Sequence, residues 1–400
     1  MRLPVLFVLA TVMIDAMGIG LIMPVMPDLI QEVTDGTLGS AALWGGVLAT
    51  SFAVMQFLFG PAVGALSDRF GRRPVLLVSM AVMAADYLVM AVAGTMWLLL
   101  VARIIGGIAG ATQSTASAFM ADISAPGKKA QNFGLVGAAF GLGFVAGPLI
   151  GGLLGELGTR APFLAAAGLS ALNFVLGLIV LPETVTDATR RPFDPRRAHP
   201  FGAFRALARL PGVRKGLLVF FICQVAVQVY PAVWAFYGKA RFDWNAGTIG
   251  LTLGLFGLTM ALVQGLLIRV ILRVLGERGT VIYGLALNIA TFLLIAFVPN
   301  GTWALVLTPV AALGGVINPA LQGQLSARVG DDSQGALQGL LTSAGALSMI
   351  LSPLLMTGSF ALGTDPRLGL NLPAAPFLLA AVLTVLALAA FVLPRRHSVA

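Results

Sequence analysis

Twelve long apolar runs, separated by short polar connections, make up most of the 400-residue chain. They cover approximately residues 4–29, 41–66, 74–94, 97–120, 130–155, 161–181, 213–238, 246–272, 279–298, 302–326, 335–358 and 372–394. Each run can supply the roughly 20 helical residues that cross the hydrocarbon core of a bilayer. The pattern predicts an all-α polytopic membrane protein with twelve transmembrane helices, called spans 1 to 12 below.

The widest polar interval, residues 182–212, separates an N-terminal half (1–181) from a C-terminal half (213–400) of six spans each. Two halves of similar length are typical of transporters built from parallel repeats. Within this cytoplasmic linker, the apolar residues between 200 and 210 fall near one helical face. The segment is either a short helix on the membrane surface or an unstructured connection.

The charge distribution indicates how the chain is oriented. Charged residues make up 10% of the sequence and hydrophobic residues 58%, and the net charge is +9. Twenty of the twenty-five Lys and Arg residues fall in alternate connections, on the same side as both termini, which predicts that this side is cytoplasmic. The exceptions are Arg103 within span 4 and, on the other side, Arg160, Lys239, Arg241 and Arg367. This asymmetry argues against nucleic-acid binding.

The residues needed for enzyme chemistry are missing from the spans. The only cysteine, Cys223, lies in span 7, and both histidines, His199 and His397, lie in cytoplasmic segments. Neither H-E-x-x-H nor G-x-x-x-x-G-K-S/T occurs, which argues against a metalloprotease and against an ATP-driven pump. We therefore expect no enzyme activity, catalytic residue, resident cofactor or protein-bound metal. A receptor that does not transport is the alternative from another class.

A charged turn, Gly64-Ala-Leu-Ser-Asp-Arg-Phe-Gly-Arg-Arg73, joins spans 2 and 3. Its glycines permit turn conformations that bulkier residues resist. We predict that its charge pairs hold an inner gate closed and break on switching, with Asp122 at the inner end of span 4 assisting. A simple positively charged turn is the alternative. The predicted gating residues are Gly64, Asp68, Arg69, Gly71, Arg72, Arg73 and Asp122.

Asp15 and Asp86 lie near the middle of spans 1 and 3, and Arg103 lies in the outer half of span 4. Such groups are costly in a membrane and usually functional. Burial disfavours a charged carboxylate, whereas a nearby arginine or cationic substrate favours it. Proton-for-cation exchange requires this competition, so we predict that the three residues couple transport to protons. The structural alternative is a buried ion pair that locks spans 1 and 4 together.

The C-terminal half has no acid at comparable depth and offers neutral amides instead. Gln224 and Gln228 are four residues apart and share a helical face. As a group, these side chains suit a large, flat ligand with polar edges. Each one singly is equally explained by an interhelical hydrogen bond. The predicted substrate-binding residues are Gln113, Phe140, Gln224, Gln228, Trp234, Gln264, Asn288, Asn318 and Gln322.

Span 5 carries Gly143, Gly147 and Gly151 at every fourth position, which forms a flat face for close helix packing. Pro148 removes a backbone donor and bends the helix. We predict that this span lies between the halves and acts as a hinge during alternating access. Packing alone would also explain the glycines.

Several of these motifs resemble the major facilitator superfamily. The G-x-x-S-D-R-x-G-R-R turn is similar to its signature loop, and G-x-x-x-G-P-x-x-G-G in span 5 is similar to the motif of its drug–proton antiporters. Most of the chain also resembles the tetracycline efflux proteins. The resemblance lies at residues 15–27, 67–77, 85–88, 103–111 and 335–341 and in the spacing of Gln224, Gln228 and Trp234.

The resemblance implies a proton-coupled antiporter that exports tetracycline-like drugs, as their complexes with a divalent cation, by alternating access. Mg²⁺ would travel with the substrate, and the proton would be the coupling ion. We expect a monomer in the bacterial cytoplasmic (inner) membrane with both termini in the cytoplasm.

The sequence also departs from those efflux proteins. Asn288 stands where they carry an aspartate in span 9, and the histidine of their span 8 is missing. A multidrug or metabolite exporter of the same superfamily, with a substrate other than tetracycline, is therefore the alternative.

Overall fold

The structure is a computed structural model that describes residues 3–110, 112–125, 127–187, 190, 202, 210–330 and 333–393. The N-terminal half contains α1 (Leu3–Ile22), α2 (Met26–Thr34), α3 (Leu38–Phe70), α4 (Arg72–Val92), α5 (Met96–Ala109), α6 (Thr112–Ile123), α7 (Lys129–Gly155) and α8 (Ala161–Val180). The C-terminal half contains α9 (Arg214–Val227), α10 (Val229–Phe242), α11 (Ala246–Leu262), α12 (Ile268–Phe297), α13 (Gly301–Ala312), α14 (Ile317–Ser326), α15 (Gln334–Thr364) and α16 (Ala375–Val392). No β-strand occurs among these residues.

Within the described ranges, eleven helical segments are long and apolar enough to cross a membrane. Ten match one predicted span each. The eleventh, Ala246–Phe297, has 52 residues, far more than the roughly 20 that one crossing needs. Gly276, with a φ of 64°, interrupts it, so this segment contains spans 8 and 9. The predicted twelve-span all-α fold is confirmed, while the surface helix predicted between residues 200 and 210 lies largely outside the described residues.

Five of the spans are interrupted rather than continuous. Span 1 has a 3₁₀ turn at Met23–Val25, span 8 a π-helical turn at Val263–Leu267, and span 10 a 3₁₀ turn at Leu313–Val316. Span 4 is divided near Gly110 and span 7 near Gln228. Interruptions of this kind free backbone groups from the helical ladder, and transporters commonly use them to build binding sites.

The chain forms two compact units. The first comprises Met1–Pro200 and Trp234–Leu258, and the second comprises Phe201–Val233 and Thr259–Ala400. Part of spans 7 and 8 therefore belongs with the N-terminal spans, which the division at residues 182–212 does not anticipate. Close packing explains this assignment, since a Cβ at Gly152 would lie 2.7 Å from the carbonyl oxygen of Ala246.

Each unit has its own apolar core. In the first unit, one cluster joins spans 1, 3 and 4 through buried side chains such as Val8, Met80 and Phe119. In the second, a larger cluster includes Phe220, Leu285 and Leu340. Many large apolar side chains remain on the surface, as expected for a protein whose solvent on that face is lipid.

Candidate functional site

A buried ion pair occupies the interior of the first unit. The Arg103 guanidinium on α5 contacts the Asp86 carboxylate on α4, and the two side chains are only 9% and 1% exposed. Gly106 makes this approach possible, because a Cβ there would lie 2.8 Å from Asp86 Cγ. The guanidinium also lies 5.0 Å from the ring centroid of Phe52 and 5.8 Å from that of Tyr87. The buried guanidinium is therefore in contact with one carboxylate and with the rings of two aromatic side chains.

Asp15 lies apart from this pair. Its side chain on α1 is half-buried, and it forms no hydrogen bond or ion pair with the part of the chain that the structure describes. The structural alternative, a pair between spans 1 and 4, is therefore wrong. Arg103 binds the acid of span 3, because Gly106 opens the surface of span 4 toward Asp86.

The charged turn forms the network that its composition predicts. Arg72 lies at its centre and contacts Asp68 Oδ1 (2.5 Å) and Asp122 Oδ2 (3.3 Å). It also donates to Ser67 Oγ (2.6 Å), which in turn donates to the carbonyl oxygen of Gly64 (2.7 Å). One guanidinium thus ties together the end of span 2, the start of span 3 and the end of span 4.

The two other arginines of the turn have different partners. Arg73 donates to the carbonyl oxygen of Leu178 in α8 (2.8 Å). The Arg69 guanidinium lies 5.1 Å from the ring centroid of Phe70 and is exposed. The structure therefore brings Gly64, Asp68, Arg72 and Asp122 together and leaves Arg69 at the edge of the network.

Glu183 completes the turn, and the sequence analysis missed it. Its carboxylate accepts hydrogen bonds from the backbone N–H groups of Arg72 (2.9 Å) and Arg73 (3.3 Å), which caps α4. A Cβ at Gly71 would collide with this carboxylate, and the φ of 111° at Gly71 also favours glycine. A signal did exist, since a helix that starts with Gly-Arg-Arg has no side-chain acceptor of its own for its free N–H groups.

The glycine face of span 5 packs against span 1. A Cβ at Gly147 would lie 2.6 Å from the carbonyl oxygen of Met17, and Gly143 and Gly151 meet the carbonyls of Met13 and Leu21 in the same way. This glycine face therefore packs within the N-terminal half, and a different face of span 5 meets the C-terminal half. The next residue, Gly152, provides the surface that meets span 8.

Pro148 lies within α7 without ending it. Its ring packs on span 1, where a Cβ at Gly20 would lie 2.6 Å from Pro148 Cδ. The role of this helix as a hinge stays a prediction.

In the second unit, the structure pairs two of the predicted amides. Asn318 Nδ2 donates to Gln224 Oε1 (2.7 Å), which joins spans 10 and 7. Gln228 lies one turn further along span 7, where that span is interrupted. Asn288 is buried, and its side chain packs on Gly314 in the 3₁₀ turn of span 10.

The remaining predicted ligand residues have varied environments. Trp234 is buried, donates to Thr252 Oγ1 (2.8 Å) and packs against Trp244 in the first unit. Phe140 is half-buried beside Phe144, with 6.3 Å between ring centroids. Gln264 is exposed in the π-helical turn, Gln322 is half-buried in α14, and the side chain of Gln113 lies outside the described residues.

Three of the seven predicted amide residues lie at interrupted spans. Gln228 lies at the break of span 7, Gln264 in that of span 8 and Asn318 just after that of span 10. At the break of span 4, Gln56 Nε2 donates to the carbonyl oxygen of Gly110 (2.8 Å), a contact that the sequence does not reveal. Polar side chains thus accompany the backbone groups that these breaks release.

Comparison with known families decides the assignment. The model of the Major Facilitator Superfamily matches residues 8–353. The chain belongs to the major facilitator superfamily. As a member of this superfamily, it is a multi-pass membrane transporter and not an enzyme.

Two curated superfamily members are similar over nearly their whole length. The chain is 43% identical over 363 residues to the tetracycline resistance protein, class C, of Escherichia coli, covering 91% of each protein. It is 42% identical over 362 residues to the class G protein of Vibrio anguillarum, covering 90% of this chain and 91% of that one.

Solved superfamily structures share the same architecture. The crystal structure of the human organic anion transporter MFSD10 is 27% identical, with a TM-score of 0.69, and the match covers 97% of this chain and 99% of that one. The twelve-span fold and the family resemblance are therefore confirmed together.

Proposed function

We propose that this transporter exports tetracycline from bacteria in exchange for protons, across the cytoplasmic membrane and by alternating access. The substrate class is supported by the two relatives that are named as tetracycline resistance proteins. The excess of Lys and Arg beside the charged turn supports a cytoplasmic location for this turn and for both termini.

The observation that carries the proposal is the difference between the two intramembrane acids. Asp86 is fully enclosed and neutralised by Arg103. Asp15 is half-buried and is bound by no cation among the described residues. A carboxyl group that no fixed cation neutralises can exchange a proton for a mobile cation. Either the proton or the cation removes the cost of an unpaired negative charge in a poorly solvated environment. We therefore assign proton exchange to Asp15 and a structural role in the same region to Asp86 and Arg103.

The chemistry of the substrate fits this assignment. The adjacent keto and enol oxygens of tetracycline chelate Mg²⁺, and the chelate of a mono-anionic ligand carries a net positive charge. Mg²⁺ thus belongs to the cargo. The cationic edge of this chelate would be attracted by the Asp15 carboxylate.

A transport cycle follows from these roles. Protons from outside neutralise Asp15, and their release toward the cytoplasm leaves the carboxylate that binds the cationic substrate. The Arg72 network would hold the cytoplasmic ends of spans 2, 3 and 4 together in one state and release them in the other. Ion pairs that are partly exposed suit such a switch, because each contributes only about 0–1 kcal/mol and breaks readily.

Uptake into inverted membrane vesicles tests the proposal. With an acidic interior and Mg²⁺ present, vesicles that contain the protein should accumulate labelled tetracycline, and an uncoupler should release it. Vesicles without the protein serve as the control. Accumulation that survives the uncoupler would contradict proton coupling, and the absence of any accumulation would contradict tetracycline as the substrate.

A second candidate is an exporter of the same superfamily with another amphipathic substrate, and Asn288 favours it. This neutral amide is buried against Gly314, so the second unit contributes no carboxylate at this position. Competition distinguishes the candidates: a different drug or metabolite should block tetracycline uptake and itself be accumulated with higher affinity.

A further inference from the structure

The phenol hydroxyl of Tyr87 is a buried polar group to which the mechanism above gives no role. Tyr87 lies on α4 and is 1% exposed. Its hydroxyl forms no hydrogen bond with any described residue. An unpaired hydroxyl at such a depth is unfavourable and indicates a partner that forms in another state of the protein.

Tyr87 is held in a fixed orientation by its neighbours. It follows Asp86 directly, and Arg103 lies 5.8 Å from its ring centroid while contacting the Asp86 carboxylate. Consecutive helical residues point about 100° apart, so Asp86 faces span 4 and Tyr87 faces span 1. The Arg103 guanidinium therefore packs over the ring, whereas the hydroxyl at its tip has no hydrogen-bond partner in the described part of the chain.

The hydroxyl points at the helix that carries Asp15. A Cβ at Gly18 would lie 2.6 Å from Tyr87 Oη, so the absence of a side chain at Gly18 creates the space that the hydroxyl fills. Asp15 is three residues before Gly18 and shares its helical face.

We propose that Tyr87 is a positioning residue that donates a hydrogen bond to Asp15 whenever Asp15 has released its proton. The inference rests on the proposed function and assigns one further residue to it. A phenol donor stabilises the carboxylate but not the protonated acid, so it favours the form that binds a cationic substrate. On protonation of Asp15, the hydrogen bond loses its charged acceptor and the hydroxyl returns to the position beside Gly18.

The charged groups around this pair leave the assignment intact. Asp86 and Arg103 face Tyr87 from α4 and α5, and they neutralise each other. The other acidic and basic side chains of the described helices that surround Asp15 and Tyr87 lie near the helix ends. They are Asp28, Glu32, Asp68, Arg69, Arg72, Arg73, Asp122 and Lys129.

The Tyr87→Phe variant tests the inference, because it keeps the ring and removes only the hydroxyl. The measurement is equilibrium binding of labelled tetracycline with Mg²⁺ to the purified full chain, from mildly acidic to mildly alkaline pH. We expect the pH of half-maximal binding to rise by about one unit, a tenfold change that corresponds to about 1.4 kcal/mol, with affinity at alkaline pH preserved. Tyr283→Phe, which alters an exposed tyrosine, is the matched control and should leave the profile unchanged.

A second variant keeps the test informative if Tyr87→Phe does not fold. Gly18→Ala places a methyl group where the hydroxyl lies and should shift the profile in the same direction. A normal pH profile in the folded variants would overturn the role of Tyr87 while leaving the proposed function in place. A uniform loss of affinity without a shift would also overturn it, since that result indicates packing alone. If the parent protein binds no tetracycline at any pH, the proposed function fails and this inference fails with it.

Discussion

At the scale of single residues, the Asp86–Arg103 pair dominates the energetics of the first unit. Both side chains are removed from solvent, so neither charge can be hydrated if its partner is lost. Replacing a buried pair by apolar groups is often tolerated, whereas removing one member leaves an uncompensated charge. The pair therefore constrains which substitutions the region accepts.

We predict that Arg103→Met destabilises the protein by about 3–5 kcal/mol, because Asp86 is left buried without its cation. The double variant Asp86→Asn/Arg103→Met should recover most of this loss. The measurement is thermal unfolding of the purified protein in detergent. If the losses of stability in the single variants simply add in the double variant, the two charges do not stabilise each other.

At the scale of helices, small residues set how closely α7 approaches α1. Gly147 has the carbonyl of Met17 where a Cβ would lie, whereas nothing lies within 4 Å of a Cβ at Gly141. The two glycines occupy the interior of the same helix, so they differ in packing and not in helix propensity.

We predict opposite results for one substitution at these two glycines. Gly147→Ala should destabilise the protein, because the helices must separate to accommodate the methyl group. Gly141→Ala should be neutral or stabilising by up to about 1 kcal/mol, since alanine favours helix over glycine. Thermal unfolding in detergent compares the stability of the two variants. Equal effects would show that the close contact of Gly147 with α1 does not determine the stability.

The sequence predicts those parts of the fold that depend on residues close together in the chain. Apolar length defined the twelve spans, and Gly276 separates spans 8 and 9 in the interval predicted between residues 272 and 279. The charged turn formed its expected pair because Asp68 and Arg72 are only four residues apart, on either side of the turn at Gly71. In contrast, the partner of Arg103 depends on how the faces of spans 1, 3 and 4 pack together. The sequence around Arg103 does not reveal this packing.

The missed residues have the same explanation. Glu183 caps a helix that begins more than a hundred residues earlier, so its role is visible only once spans 3 and 6 are adjacent. The interruption of span 10 at Leu313–Val316 contains two glycines that an apolar run conceals. Periodicity identifies spans well, but it does not reveal where their backbone leaves the helical ladder.

At the scale of the whole molecule, one ion pair connects the two halves of the sequence within the first compact unit. Lys239, from the end of span 7, contacts Asp28, from the end of span 1, and both side chains are partly exposed. A second pair, Arg160 with Glu32 (2.8 Å), connects segments of the N-terminal half only. The two pairs are chemically similar but differ in which parts of the chain they join.

We predict that Lys239→Asp lowers the rate of tetracycline uptake about five-fold, because a repulsion of about 1 kcal/mol replaces the attraction between two segments that must separate and rejoin. The double variant Asp28→Lys/Lys239→Asp should restore uptake. Reversal of Arg160 alone should alter the rate much less. Equal losses for both pairs, or no rescue by the double variant, would show that the contact has no special role in transport.

Uptake of tetracycline by the Asp15→Asn variant, in inverted vesicles with an acidic interior, tests directly whether Asp15 carries the exchanged proton. Asp35→Asn is the control, since Asp35 is exposed and its φ of 48° suits asparagine. We predict that Asp15→Asn is inserted at normal levels but accumulates no labelled tetracycline, whereas Asp35→Asn matches the parent. Gradient-dependent accumulation by Asp15→Asn at the parent's rate would show that Asp15 does not carry the exchanged proton.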